Sequence, residues 1–428
     1  MRVIKKWAKL DNAAKIFPPT SSSRDPKVFR FTCELYEPVD APILRHALDR
    51  AVARFPLYRS ILKKGLFWYY FEESALRPAV EEESRRPCAP IYDADRPGLL
   101  FRVCYYRKRI HLEIFHALAD GMGAVHFLRT LVQFYLAEKH PDSAGKDFLP
   151  DEAGTSPEQA RQDAFAKYYD KNKSVRSQKA ERAYRIKGAC LPDRHLGVIE
   201  GVLPVKSVLA LAHRRRASLT EFLTALLICS VYDGMAVRDC AHPVVITVPV
   251  DLRHYFQTQT ARNFFGLIHV RHHFKADGDS FPEVLENVRR SFQSQLNPET
   301  MLEIINRYSA IENNFLIKAI PLGIKIPCLK LAGRHAERED TAAVSNLGRI
   351  AMPPGMEAHI RLFSVTVSTR RPQICLCSFG DTLTVSYSAR LESTDLPRRF
   401  FRRLAELGIG IEINSNLELP EEEADAVL

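Results

Sequence analysis

The sequence predicts an α/β fold arranged as two lobes, and three observations carry that prediction. At 428 residues the chain is longer than a single hydrophobic core usually grows. Segments with period-two hydrophobicity alternate with segments of helical period from one end to the other. Between them, from about Lys139 to Lys187, the sequence turns polar and charged with too little apolar content for a core, as a connector would. The expected division is residues 1–165 for an N-terminal lobe and 166–428 for a C-terminal lobe.

Phe29, Phe31, Cys33 and Leu35 alternate with polar residues, which predicts a half-buried strand. Asp40 is placed to cap a helix whose Leu44, Ala47, Leu48, Ala51, Val52 and Phe55 share one face. LYRSILKKGLFWYYF reads as two strands around Lys64-Gly65, and LLFRVCYYRKRIHLEIF as two more around Lys108-Arg109. After Gly121 the period changes, because Ala124, Phe127, Leu128, Leu131 and Tyr135 fall on a helical face.

Beyond the connector, HLGVIEGVLP predicts a strand and Lys206 to about Arg215 a helix. Ser218-x-x-Glu221 is a capping box that opens another helix through Tyr232. VVITVPV, LIHVRHHF, IRLFSVTVS, QICLCSF and TLTVSYSA predict five strands of a C-terminal sheet. Helices are expected at Phe281 to Gln295 and Met301 to about Asn313.

Composition excludes several classes. Apolar residues make up 46% and charged residues 26% of the chain, as in folded soluble proteins. The longest apolar run, Phe222 to Tyr232, is far too short to span a bilayer, and MRVIKKWAKLDN lacks the apolar centre of a signal peptide. Nine cysteines in no zinc or disulfide spacing favour a reduced, cytoplasmic setting with no metal, and Cys104, Cys190 and Cys229 read as small core residues. The net charge of +10 is spread over RRR at 214–216, RR at 370–371 and RRFFRR at 398–403. No nucleic-acid signature accompanies it; about half of such clusters read as solvated faces, and a phosphate-bearing cofactor or an acidic partner protein fits the charge as well.

The stretch EIFHALADG, residues 113–121, holds the residues with the most chemistry. His, Asp four places on and Gly immediately after arise by chance in this composition about 0.03 times. His116 shares parity with Ile110, Leu112 and Ile114, so it points inward where the strand ends. It is either a hydrogen-bonded core histidine or a rigidly held base with one ring nitrogen free. Gly121 would let the chain turn sharply and Asp120 would cap the following helix or hold an arginine.

His116, Asp120 and Gly121 match HxxxDG, the hallmark of the CoA-dependent acyltransferase superfamily, which the chain resembles. That superfamily includes chloramphenicol acetyltransferases, plant BAHD acyltransferases, alcohol acetyltransferases and peptide-synthetase condensation domains. TVPVDLR at 247–253, RNFFG at 262–266, SNLG at 345–348 and LDNAAKIFP near the start resemble further elements of it, so the likeness spans most of the chain. Two departures concern the subfamily. Phe115 stands where condensation domains usually carry a second histidine, and the plant branch's DFGWG-like element is absent.

The resemblance implies two chloramphenicol acetyltransferase-like α/β lobes with a tunnel between them, into which His116 faces. It implies an acyltransferase of monomeric form in which His116 is the general base, Asp120 pairs with Arg253, and Gly121 supports the motif. Ser345 and Asn346 are candidates for an oxyanion or substrate contact, against the reading of SNLG as a turn. Asn263 and Gly266 read as structural. Acyl-CoA is the expected co-substrate, with no permanently bound cofactor and an alcohol or amine as acceptor. Two alternatives stand beside this: a free-standing condensation-type enzyme using an acyl carrier protein thioester, and an inactive relative that recruits partners.

Overall fold

The structure, a computed structural model, describes residues 7–143, 162–170 and 181–417. Much of the predicted connector therefore lies outside the described residues. In chain order the strands among the described residues are Trp7–Lys9 (β1), Val28–Leu35 (β2), Ser60–Lys64 (β3), Tyr69–Glu73 (β4), Val80–Glu82 (β5), Phe101–Tyr106 (β6) and Arg109–Phe115 (β7). They continue with Gly197–Pro204 (β8), Val244–Asp251 (β9), Phe265–His272 (β10), Ala342–Arg349 (β11), Ile360–Val367 (β12), Gln373–Phe379 (β13), Thr382–Ala389 (β14) and Glu412–Ser415 (β15). They form three sheets, ordered β1-β4-β3, β12-β2-β7-β6-β5 and β10-β9-β11-β13-β14-β8-β15.

Helices cover these sheets where the sequence calls for them. Asp40 accepts from the Ile43 amide and starts Ala41–Arg54, which packs on Gly121–Lys139 with Leu44, Leu48, Phe127 and Leu131 buried between and beneath them. The capping box of Ser218 and Glu221 is formed and opens Leu219–Tyr232, which lies against Phe281–Gln295. A second capping box, Ser280 with Glu283, starts that helix.

The alternation in β13 shows how the sheets are layered. Ile374 and Leu376 belong to the core of the seven-stranded sheet, whereas Cys375, Cys377 and Phe379 face the core that contains β2 and β7. Period-two geometry thus turns one strand toward two cores.

Three expectations need correction. IRLFSVTVS, predicted for a C-terminal sheet, is β12, and it pairs antiparallel with β2 in the five-stranded sheet, Phe363 opposite Cys33 and Val365 opposite Phe31. Its period-two pattern fits either sheet, and only the long-range partner decides. The free edge of β12 is covered, because Thr384 Oγ1 and Cys377 Sγ donate to the Phe363 carbonyl at 2.8 and 3.2 Å and Ser388 Oγ to that of Val367 at 3.0 Å. Cys190, read as a core residue from its apolar neighbours, is exposed, whereas Cys104 and Cys229 are buried.

The third correction is β2, which is buried on both faces rather than one. Its polar face carries ions that are paired. Glu113, fully buried on β7, accepts from Arg30 Nε at 2.8 Å, from the Cys88 amide at 2.8 Å and from Arg102; Arg30 also pairs with Glu83. Thr32 Oγ1 lies 2.9 Å from His111 Nδ1. Glu34 binds Arg109 at 2.7 Å and Arg361 at 2.6 Å, and these arginines reach Glu200 of β8 and Glu412 of β15. An ionic row therefore runs from one sheet to the other.

Glu113→Ala takes from the buried Arg30 one of its two carboxylate partners and leaves the half-buried Arg102 without this one, a loss of about 3–5 kcal/mol. Urea unfolding of the variant is expected to show a midpoint lowered accordingly; an unchanged midpoint would mean the network is inert.

Candidate active site

His116 follows the last residue of β7, and its amide donates to the Lys27 carbonyl at 2.8 Å, which fixes the chain as it leaves the sheet. Asp120 is the N-cap of Gly121–Lys139 and accepts from the Gly123 amide at 2.9 Å. Gly121 does not adopt the left-handed backbone that a sharp glycine turn implies. A Cβ there would lie 2.7 Å from Leu347 Cδ2, the movable end of a side chain. Gly123, two residues on, is the tighter position, because a Cβ would meet the Ala261 carbonyl oxygen at 2.1 Å.

Arg253, in the turn Leu252–His254 that follows β9, is largely buried and uses every donor it has. Nη1 donates to Asp120 Oδ2 at 2.9 Å and Asp251 Oδ1 at 2.8 Å; Nη2 to Asp120 Oδ1 at 3.1 Å and the Arg262 carbonyl at 2.6 Å; Nε to the Thr260 carbonyl at 3.0 Å. Asp120 Oδ2 also accepts from the Phe264 amide at 2.8 Å. The pair therefore ties the start of one helix to the segment that leads into β10.

The segment so held contains Asn263, read from sequence as structural, and it touches the motif histidine. His116 Nδ1 lies 3.2 Å from Asn263 Oδ1. Asn263 Nδ2 donates to Asp11 Oδ2 at 3.4 Å, which orients the amide with its oxygen toward the imidazole. Since that oxygen can only accept, Nδ1 carries the proton and Nε2 is left with its lone pair. Asp11 is completely buried; burial pushes its carboxyl up to about 6, against the pull of Arg262. The only sequence signal for this contact is RNFFG itself, 147 residues from His116.

Aromatic rings surround the imidazole. Phe17 stacks on it at 4.2 Å, Phe29 meets it edge-on at 5.0 Å and Phe265 is tilted at 5.7 Å. Burial in this apolar setting holds the His116 pKa below the usual histidine value, although Asp120 and Asn263 oppose the shift. Neutral imidazole is thus the form present at neutral pH. Phe115, in contrast, is fully buried and stacks on Tyr92 at 4.9 Å, a packing position.

A cavity of about 430 Å³ opens beside these residues, and His116, Asp120, Gly121, Arg253, Ser345 and Asn346 all line it. Its origin is a splay between strands. β11 pairs with β9 only at Ala342 and Ala343, then stays with β13 alone, so one edge of SNLG is left without β9. Pro249 and Val250 of β9 face the gap. SNLG, weighed above as a turn, is therefore strand, and Gly348 takes φ +73° where the strand shifts register. Asn346 Nδ2 donates to Thr220 Oγ1 at 2.8 Å and its Oδ1 accepts from the Gly348 amide at 2.8 Å. Ser345 carries no side-chain hydrogen bond among the described residues.

Glu37, His140 and His359 form the group among the described residues that could hold a metal ion, and none of them lines this cavity. The two imidazoles stack at 3.8 Å, nearly parallel, and His359 Nε2 is engaged by Ser143 Oγ at 2.9 Å. Parallel rings cannot both direct a lone pair at one ion without rotating.

No family model and no curated protein matches the chain. Solved structures do. The chain is similar to TRI101 of F. sporotrichioides complexed with coenzyme A and T-2, at 12% identity over 95% of this chain and 99% of that one, TM-score 0.62. It is similar to the first condensation domain of the calcium-dependent antibiotic synthetase, at 16% identity over 95% and 99%, TM-score 0.60. It is similar also to the TRI3 trichothecene 15-O-acetyltransferase from Fusarium sporotrichioides, at 11% identity over 94% of both chains, TM-score 0.59. The chain shares their α/β fold. At these identities the likeness concerns the fold alone.

Asp120→Asn and Arg253→Ala are each expected to lower stability by about 3–5 kcal/mol. The double variant should lose much less than the sum, since either single change already breaks the same ion pair. Equilibrium unfolding of the three variants decides it, and additive losses would show two independent residues.

Proposed function

We propose that the protein is an acyltransferase that moves an acyl group from acyl-CoA to an alcohol or amine, with His116 as general base. The observation that carries this reading is a neutral imidazole held by Asn263 in one tautomer, beside a cavity, with Nε2 free. In this reading Nε2 takes the proton of the acceptor as its oxygen or nitrogen attacks the thioester carbonyl. The tetrahedral intermediate collapses by breaking the carbon–sulfur bond, and the imidazolium returns the proton to the departing thiolate. Asp120 and Arg253 position the loop without touching the reacting atoms.

Ser345 is the better candidate for hydrogen-bonding the developing oxyanion, because its hydroxyl is unengaged while the Asn346 amide already serves Thr220 and Gly348. The lobes proposed to flank the cavity are residues 1–165 and 166–428, with β12 contributed by the second to the first. The likeness to a protein crystallised with coenzyme A supports a CoA donor. The likeness to a condensation domain supports a second reading, in which a carrier-protein thioester is the donor.

Incubation of the purified protein with a panel of acyl-CoA donors and small alcohols or amines, followed by free-thiol release, tests the proposal. His116→Ala is expected to fold and to lose about 10²–10⁴-fold in kcat/KM. Discharge of an acylated carrier protein with no acyl-CoA consumed selects the second reading, and a fully active His116→Ala variant sinks both.

The pH profile provides an independent check. The active imidazole is the neutral form, and its pKa is lowered, so activity should persist as pH falls through 6.5, the ordinary histidine value, and be lost only below it. An acidic limb centred above 6.5 would contradict the buried, neutral histidine.

A further inference from the structure

Among the described residues eleven large apolar side chains are exposed, and six of them, Trp7, Ile16, Leu66, Phe67, Ile324 and Leu331, sit on elements that touch one another. β1 pairs with β4, placing Trp7 opposite Glu72, and the β3–β4 turn presents Leu66 and Phe67. The helix Leu322–Ala336 joins this hairpin through the Leu322 amide, which donates to the Leu66 carbonyl at 2.8 Å, and through Lys325, which lies 4.1 Å over the Trp68 ring. The short helix Phe17–Thr20, directly after Ile16, packs against the same helix.

That helix carries an exposed apolar stripe beside exposed Lys330 and Arg334. Its buried side chains are Leu322 and Lys325, while Ile324, Cys328 and Leu331, spaced to share one stripe, are exposed, Ile324 to 60% and Leu331 to 69%. Leu66 at the hairpin tip is 70% exposed and Trp7 65%. A cavity of about 800 Å³, lined by Trp7, Lys9, Phe67, Trp68 and Lys318 among others, lies between the hairpin and the chain around it. Both tryptophans of the chain are on this face.

The charge is one-sided. From Asn313 to Ala336 the sequence has Lys318, Lys330 and Arg334 besides the buried Lys325, with no acidic residue, and from Leu57 to Trp68 it has Arg59, Lys63 and Lys64 with none. The acidic residues of the hairpin are Glu72, which lines the cavity, and Glu73 at the far end of β4 from the tip.

We propose that this face, built from β1, the β3–β4 hairpin and the helix Leu322–Ala336, docks on the surface of an anionic lipid bilayer. Among the described residues no helix is long and apolar enough to cross a membrane, and the contact proposed is a peripheral one. Exposed indole and aliphatic groups enter the interfacial layer, and Lys63, Lys64, Lys318 and Lys330 meet the headgroup charge, while the buried Lys325 holds the helix to Trp68. An acidic protein surface fits less well. Protein interfaces favour arginine and are depleted in lysine, whereas here lysine predominates and the apolar side chains protrude.

The test uses the full chain, with vesicles of phosphatidylcholine alone and of phosphatidylcholine mixed with phosphatidylserine, read by co-sedimentation and by tryptophan emission. The protein is expected to sediment with the mixed vesicles, with a blue-shifted emission and a partition that weakens as salt is raised. Each lysine near such a surface contributes about fivefold, so Lys63→Glu/Lys64→Glu should weaken partition by at least about 25-fold. Leu66→Ser/Phe67→Ser should reduce both partition and blue shift. Melting temperature establishes that both variants are folded, and thiol release from a water-soluble acyl-CoA should be unchanged in them. Equal partition into both vesicle types, or none into either, overturns the proposal; binding to polyglutamate without binding to vesicles overturns it in favour of an acidic protein.

Discussion

Removing Arg253 from water is tolerable only because each of its five N–H groups finds an acceptor, two of them on Asp120 and a third on Asp251. Everything around the motif histidine depends on that arrangement. Asp120 starts the helix that follows His116, and it also accepts from Phe264, the neighbour of the asparagine that bonds the imidazole. Carbonyls of Thr260 and Arg262 complete the shell, so the loop after β7 and the loop before β10 are set by one ion pair. A lysine at position 253 could not replace it, having three donors and no planar fork.

The surroundings of His116 combine two demands that pull apart. A base should be neutral at working pH, which the aromatic walls of Phe17, Phe29 and Phe265 ensure by excluding water. It should also be reachable, which the parting of β9 from β11 allows. Had those strands paired along their whole length, Ser345 and Asn346 would face another strand. The missing ladder is thus what makes room for a ligand.

Much of this was legible where the signal is local. The caps at Asp40, Ser218 and Asp120, and the change of period after Gly121, depend on residues within a few positions of each other, and the structure forms them as read. The placement of β12 was not legible, because alternating apolar residues serve equally in either sheet. Nor was the strand at SNLG, whose Ser, Asn and Gly are turn residues by propensity and are overridden by pairing with β13. Asn263 and Asp11 escaped for another reason. Their roles come from a chain of hydrogen bonds across distant segments, and nothing in their neighbours' periodicity announces it. At Gly121 the sequence suggests a turn needing backbone freedom, whereas the residue opens the helix with no left-handed φ.

The return of β12 to the first sheet has a consequence for how the protein is made. β2 and β12 are partners separated by about 330 residues, Phe29 opposite Val367 and Leu35 opposite Ile360. A ribosome extending the chain at 5–20 residues per second leaves roughly 15–65 s between the emergence of the two. Throughout that interval one edge of β2, with Phe29, Phe31 and Cys33 beside it, waits without its neighbour. An unpaired apolar edge is a template for other nascent chains. The first sheet therefore cannot be completed until nearly the whole chain has been made, however stable it is once closed.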